Sequence, residues 1–216
     1  MSDQSVIISI ESWKEDMVRK PSPERRAKFL SSALKLFVRD GVQHASTAAI
    51  AQEAGTAAGT LFLYFPTKQD LINELTLQLG REQSEYIQIL LQPTLSAREA
   101  FRTIWDGSLR WFLQNMDAYK FIRQVRDSKL IDDAVAEESA KYFSYYFQTI
   151  QKGLEEGCIK PYPIELIGEM IYQTLAAVLN LLSRQPDQAR REEYMQSGFD
   201  IFWNGIKSAD HELLGS

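Results

Sequence analysis

The chain has 216 residues, 44% of them hydrophobic and 25% charged, which is enough for a sizeable core in one long domain or two small ones. Its one cysteine, Cys158, excludes an intrachain disulfide and a cysteine-based metal cluster and fits a reducing cytoplasm. The start, MSDQSVIISIESWKED, has no basic region before its short apolar patch and does not read as a signal peptide, and no apolar run approaches the ~20 residues of a spanning helix.

Residues 1–22 show no clear periodicity and read as an arm, with room for one helical turn near Trp13 to Val18. A helix is predicted over 23–40. Ser22 suits its N-cap, and Pro23 suits the first helical position, where the missing N–H costs nothing. Ala27, Leu30, Ala33, Leu34 and Phe37 share one face, and Gly41 stands where a left-handed C-cap is expected. Ser46 caps a second, short helix, TAAIAQEA, which Gly55 ends. A third runs from Ala57 or Ala58 to Phe65, where Pro66 stops it. Thr67 caps a fourth, from Lys68 to about Leu91, with Leu71, Leu75, Leu79 and Tyr86 inward.

Further helices are predicted from Ser96 through Leu113, from Asp117 to Arg126, and from Asp132 or Asp133 through Tyr142, Tyr146 and Ile150 to Gly157. The segment IKPYP is a turn, because two prolines two apart do not sit inside a helix. Pro163 opens a strongly apolar helix to Ser183, and Pro186 and Asp187 open the last, to about Ser208. The tail, ADHELLGS, frays. No strand pattern, repeat or low-complexity tract survives this reading, so the fold class is all-α.

Charge is placed unevenly. Residues 19–70 hold eight Lys and Arg against four acids, on a chain whose formal net charge is −5. A basic segment on an acidic chain points to a polyanion partner for that segment. The same segment carries two short helices joined at Gly55, with a longer one before them, which suggests a helix-turn-helix. Ala48, Ala51, Ala54 and Ala58 let the short helices cross closely, and Ile50, Leu61 and Phe65 fill the space behind them. In such a unit the second short helix enters the major groove, and Gly59 and the alanines keep its leading end slim.

The run Ser46-x-x-x-Ile50-Ala51-x-x-Ala54-Gly55-x-x-x-Gly59-Thr60-Leu61-x-x-Tyr64-Phe65-x-x-Lys68, preceded by ALKLFVRDG, resembles the DNA-binding domain of the TetR family of bacterial transcriptional regulators over about residues 23–75. The resemblance implies an Ω-shaped homodimer. Each subunit would have an arm (1–22), a three-helix, homeodomain-like helix-turn-helix DNA-binding domain (23–68, motif 46–65) and a six-helix ligand-binding and dimerisation domain (69–210). Family members mostly repress, and leave a palindromic operator when a small molecule binds the C-terminal domain. Activation within the same fold stays open, as does a helical ligand-binding module without operator binding.

Carried over by position, Ser46 caps the second helix and donates to a phosphate. Ala57, Ala58, Thr60 and Leu61 face the groove, Tyr64 reaches one phosphate, and Lys68 clamps another. Phe62 stands where relatives usually have a tyrosine, so a backbone contact is lost or becomes apolar. Alanine at 57 replaces a frequent serine and cannot cap. Either Thr56 caps instead, or the cap is weaker by about 1 kcal/mol. Phe62, Phe65 and Ile50 read better as core than as contact, and Leu61 stands between. Ala58 offers only a methyl to a base, so readout leans on DNA shape or on Arg25, Arg26, Arg19 and Lys20.

The stretch 96–150 is rich in aromatics, and five aromatics at 142–147 cannot all point into one core. Some line a cavity suited to a flat, apolar or cationic small molecule. Trp105, Phe112, Tyr142 and Tyr146 are the lining candidates, with Met170 or Tyr172 closing it from the next helix. The last two long helices carry more apolar surface than one subunit covers. Pairing across a two-fold axis would bury it, with Ala177, Leu181, Phe199, Phe202 and Trp203 in the interface. No membrane partner, cofactor, metal site or catalytic residue is expected: the two histidines, His44 and His211, fall in a loop and the tail, and no nucleophile elbow, phosphate loop or ligand spacing is present. Cys158 has only Lys160 nearby to activate it and reads as inert.

Overall fold

The computed structural model describes residues 22–208. The arm with Arg19 and Lys20, and the tail from 209 with His211, lie outside the described residues. Ten helices follow one another among the described residues: α1 (Pro23–Asp40), α2 (Thr47–Glu53), α3 (Ala58–Phe62), α4 (Lys68–Leu90), α5 (Ala97–Gln114), α6 (Met116–Asp127), α7 (Asp133–Tyr142), α8 (Ser144–Glu155), α9 (Ile164–Leu182) and α10 (Gln188–Ile206). The chain divides into two compact units within α4, one ending at Leu71 and one beginning at Ile72.

In the first unit the capping residues act as their chemistry dictates. The Ser22 hydroxyl accepts from the Arg25 N–H at 3.1 Å, and Ser46 accepts from the Ala49 N–H at 3.1 Å. Thr67 accepts from the Asp70 N–H, and Asp70 accepts in return from the Thr67 N–H at 2.9 Å, a reciprocal cap on α4. The buried face of α1 is rotated from the predicted one. Phe29 and Leu36 join Leu30, Ala33 and Phe37 inside, while Ala27 is exposed. The cause is aromatic: Phe29 meets the edges of Tyr64 and Phe65 at ring distances of 5.3 and 6.5 Å. Helix α3 is shorter than predicted. It ends at Phe62, and turns carry the chain on to Phe65.

In the second unit, α5 is the central element. Ser96 and Glu99 form a complete capping box at its start, and Phe101, Ile104, Trp105 and Leu109 are wholly buried. Helix α10 lies on it through Phe199, Phe202 and Trp203: Phe101 meets Phe202 at 5.7 Å, and Trp105 meets Phe199 at 6.1 Å. The Trp105 indole N–H donates to the Met195 carbonyl at 2.9 Å, so its polar atom is satisfied inside the core. Trp105 fits because position 198 is glycine. A Cβ there would stand 2.5 Å from Val178 Cγ2 and 2.8 Å from Trp105 Cζ2.

Two expectations are corrected. The single helix predicted over 132–157 is two helices, α7 and α8, broken at Phe143, so the chain from 69 onward holds seven helices rather than six. The Ser84 hydroxyl donates to the Tyr142 carbonyl at 2.6 Å and takes that acceptor out of the helical ladder. The break lets Tyr145 turn inward to Ile87 and Ile104. Helix α9 is, by length and composition, apolar enough to cross a membrane, contrary to the reading that no run qualifies. It buries Ile167, Ile171, Leu175, Val178, Leu179 and Leu182 within its own unit. Cys158 is also buried, and burial together with Glu156 pushes its thiol pKa up, away from a reactive thiolate.

Replacing Gly198 by alanine is predicted to destabilise the protein by roughly 1–3 kcal/mol through overpacking, more than the helix-propensity gain returns. Gly168→Ala, also inside a helix but with nothing within 4 Å of the added carbon, is predicted to be neutral or stabilising. Thermal melts followed by circular dichroism separate the two.

Candidate nucleic-acid interface and cavity

Helices α2 and α3 cross over a core of Ile50, Ala51, Ala54, Leu61 and Phe65, all buried. The two glycines of this segment serve different ends. Gly55 has φ +71°, a left-handed conformation that the turn requires and L side chains avoid. Gly59 is helical and exposed, and a Cβ there would meet nothing within 4 Å. Among the described residues, nothing requires glycine at 59.

The candidate residues separate into three groups. Ala57, Phe62 and Ser46 are exposed, and Ala58 and Thr60 are half-buried. Leu61 is wholly buried. It belongs to the core and does not face a groove, because the five-residue α3 is anchored by that one side chain. Leu63, which the helical pattern hid, is 71% exposed next to Phe62 at 43%. Ala57 is the N-cap of α3 and makes no side-chain cap bond. Thr56 does not substitute for it. Its hydroxyl donates instead to the carbonyls of Ala51 (3.3 Å) and Ala57 (3.4 Å).

Tyr64 and Lys68 both have structural partners. The Tyr64 hydroxyl accepts from the Ser22 N–H at 2.9 Å, tying the segment after α3 to the start of α1, and its own proton stays available. The Lys68 ammonium donates to the Gln43 carbonyl at 2.8 Å and stands 5.9 Å from the Phe37 ring centroid. Burial lowers its pKa, and two of its three N–H donors remain. Among the other bases of this unit, Lys35 and Arg39 are paired with Glu53 and Asp40, while Arg26 lies over the Phe65 ring.

The second unit contains a cavity of about 520 Å³. Its walls come from α4, α5, α6, α7, α8 and α9, and Phe112, Tyr119, Phe143, Tyr146, Phe147 and Tyr172 supply an aromatic lining. Phe112 and Tyr146 are where the sequence placed them. Tyr146 shares a 3.3 Å hydrogen bond with Ser108, and burial raises its pKa to about 12. Three candidates are not lining residues. Trp105 is core between α5 and α10. Tyr142 packs on Arg81, whose guanidinium lies 5.7 Å from its ring centroid. Met170 is exposed on the outer side of α9, and Tyr172 takes its place. Periodicity missed the polar lining, Gln83, Arg126 and Glu169, because single polar residues on helices read as solvent-facing.

The outer surface shows a further apolar stripe. Leu166, Met170, Ala177 and Leu181 are exposed along one face of α9, and Ile201 of α10 is 71% exposed. Phe199, Phe202 and Trp203 do not belong to it. They are buried against Phe101 and Trp105, as the rotation of α10 over Gly198 demands.

Residues 29–75 match the model for bacterial regulatory proteins of the tetR family, and residues 78–208 match the tetracyclin repressor-like C-terminal domain. Among curated relatives, the transcriptional repressor KstR of Rhodococcus jostii is 31% identical over 124 residues, 52% of this chain and 58% of that protein. The transcriptional regulator LuxR of Vibrio harveyi is 28% identical over 102 residues, 47% of this chain and half of that protein's length. A crystal structure from Shewanella sp. PV-4, assigned to the tetR family, superposes with a TM-score of 0.79 at 27% identity, over 85% of this chain and 98% of that one. The chain therefore belongs to the TetR family and is a DNA-binding transcriptional regulator.

Proposed function

We propose that this protein is a cytoplasmic repressor that holds a palindromic operator as a homodimer and leaves it when a small molecule enters the second unit. The observation that carries this reading is the aromatic cavity, lined wholly from residues beyond the DNA-binding unit. KstR, a repressor by name, is the relative that favours repression over activation.

The DNA-reading surface consists of Ser46, Ala57, Ala58, Thr60 and Phe62, with Leu63 beside them. Tyr64 and Lys68 donate to flanking phosphates through the protons their internal bonds leave over. Gly59 is glycine for the sake of the DNA, whose backbone or groove wall comes within a side chain's reach of it. The homodimer forms on the outer stripe of α9 and α10, which would otherwise leave contiguous leucine, methionine and isoleucine in water.

Three measurements test this. Gly59→Ala is predicted to stabilise the free protein by about 0.5–1 kcal/mol through helix propensity. It should also weaken binding to a duplex selected from random sequence by about tenfold, read by fluorescence anisotropy. Unchanged affinity would remove Gly59 from the interface. Lys68→Met is expected to lower the slope of log affinity against log salt by about 1. The double substitution Leu181→Arg, Ile201→Arg is expected to give monomers in sedimentation velocity, with unchanged far-ultraviolet circular dichroism.

A further inference from the structure

We propose that the cavity takes an uncharged, largely apolar effector bearing one hydrogen-bonding group, and that Gln83 is the residue that reads this group. The inference rests on the reading of the cavity as the effector site.

Gln83 is only 6% exposed, lines the cavity, and its amide has no hydrogen-bond partner among the described residues. The amide is not among the polar atoms sealed without a partner, which among the described residues are Asp106 Oδ1 and the Tyr145 hydroxyl, so it opens onto the cavity. A ligand that fills the cavity without bonding this amide leaves it unpaired, and one that brings a partner does not. Its surroundings fit that role. Thr76, Gly80 and Gln83 lie at steps of four and three residues on one face of α4, and all three border the cavity. The Thr76 hydroxyl is already committed to the Ile72 carbonyl at 2.8 Å. Gly80 lets α7 come close, since the Ser139 hydroxyl would lie 3.5 Å from a Cβ at that position. The Gln83 amide on α4 and the Ser139 hydroxyl on α7 thus both border the cavity.

The charged lining groups argue for a neutral ligand. Arg126 is ion-paired to Glu169, and its guanidinium lies 3.6 Å from the Tyr172 ring centroid. Both side chains are about half exposed, so an anionic ligand would compete with Glu169 for a guanidinium that offers it only a solvent-screened partner. Glu165 is exposed, so a buried organic cation gains only a solvent-screened partner from it. The Gln83 amide, donor and acceptor at once, matches a carbonyl or a hydroxyl without any charge to neutralise.

The test uses the full chain and three probes of one shape: 2-acetylnaphthalene, 2-ethylnaphthalene and 2-naphthoate, titrated by isothermal calorimetry. The ketone is expected to bind about tenfold more tightly than the hydrocarbon. Gln83→Leu should bring the two together by weakening the ketone. Equal binding of ketone and hydrocarbon by the unaltered protein, a preference that survives Gln83→Leu, or tightest binding by the naphthoate would each overturn the proposal. Gly168→Leu, which adds bulk to the cavity wall where nothing opposes it, separates this from failure of the site itself. If it leaves probe binding unchanged, or if no probe binds the unaltered protein, the cavity is not the effector site and the inference falls with it.

Discussion

The second unit depends on the burial of Trp105 against the bare backbone of Gly198. An indole can be enclosed between α5 and α10 only if the opposing helix has no side chain at the point of contact, and only if its N–H is met, here by the Met195 carbonyl. Once that contact is fixed, the rotation of α10 is fixed too. Phe199, Phe202 and Trp203 turn inward, Ile201 turns outward, and α9 lies alongside with Val178 over the same glycine. Helix α9 is then apolar on three sides for three reasons: Val178 and Leu182 in the core, Ile171, Leu175 and Leu179 toward the cavity, and Leu166, Met170, Ala177 and Leu181 outward. Its high hydropathy follows from this threefold use and requires no lipid.

The first unit is governed by economy of bulk. With five residues, α3 cannot stabilise itself. It is held by Leu61 from within, by the Tyr64 hydroxyl on the Ser22 N–H, and by the stop at Pro66. The surface left over consists of small residues with Phe62 and Leu63 exposed, and is unusually apolar. On the proposed reading, apolar contact with thymine methyls, sequence-dependent shape and phosphate contacts from the flanks would carry recognition there.

Much of this was legible in the sequence. Ser22, Ser46 and Thr67 all announce helix starts because a short polar side chain before an apolar periodic run has one cheap use, and each caps as expected. The family was legible because the motif fixes residue types at many positions at once. The failures have physical causes. The motif carries Leu61 outward by position alone, and the aromatics of α10 were assigned outward because helical periodicity gives a face but not its partner; only the Gly198 contact decides which face of α10 is inside. The break at Phe143 goes with a bond from the Ser84 side chain to the Tyr142 carbonyl, fifty-eight positions away, which no local pattern reports. Gln83 was invisible for a similar reason. A glutamine on an amphipathic helix reads as solvent-facing unless the neighbouring helices are known.

The break between α7 and α8 has a consequence for how the protein can change over evolutionary time. Helix α7 buries none of its residues and yet contributes Ala136, Ser139 and Ala140 to the cavity wall. Substitutions there alter the shape of the site without disturbing the core, whereas α9 cannot change its inner face without touching two other surfaces. Change that reshapes the cavity should therefore gather on α7, leaving α9 comparatively constant. A short helix set apart from α8 at Phe143 gives this unit a wall that can be rewritten while the rest keeps its packing.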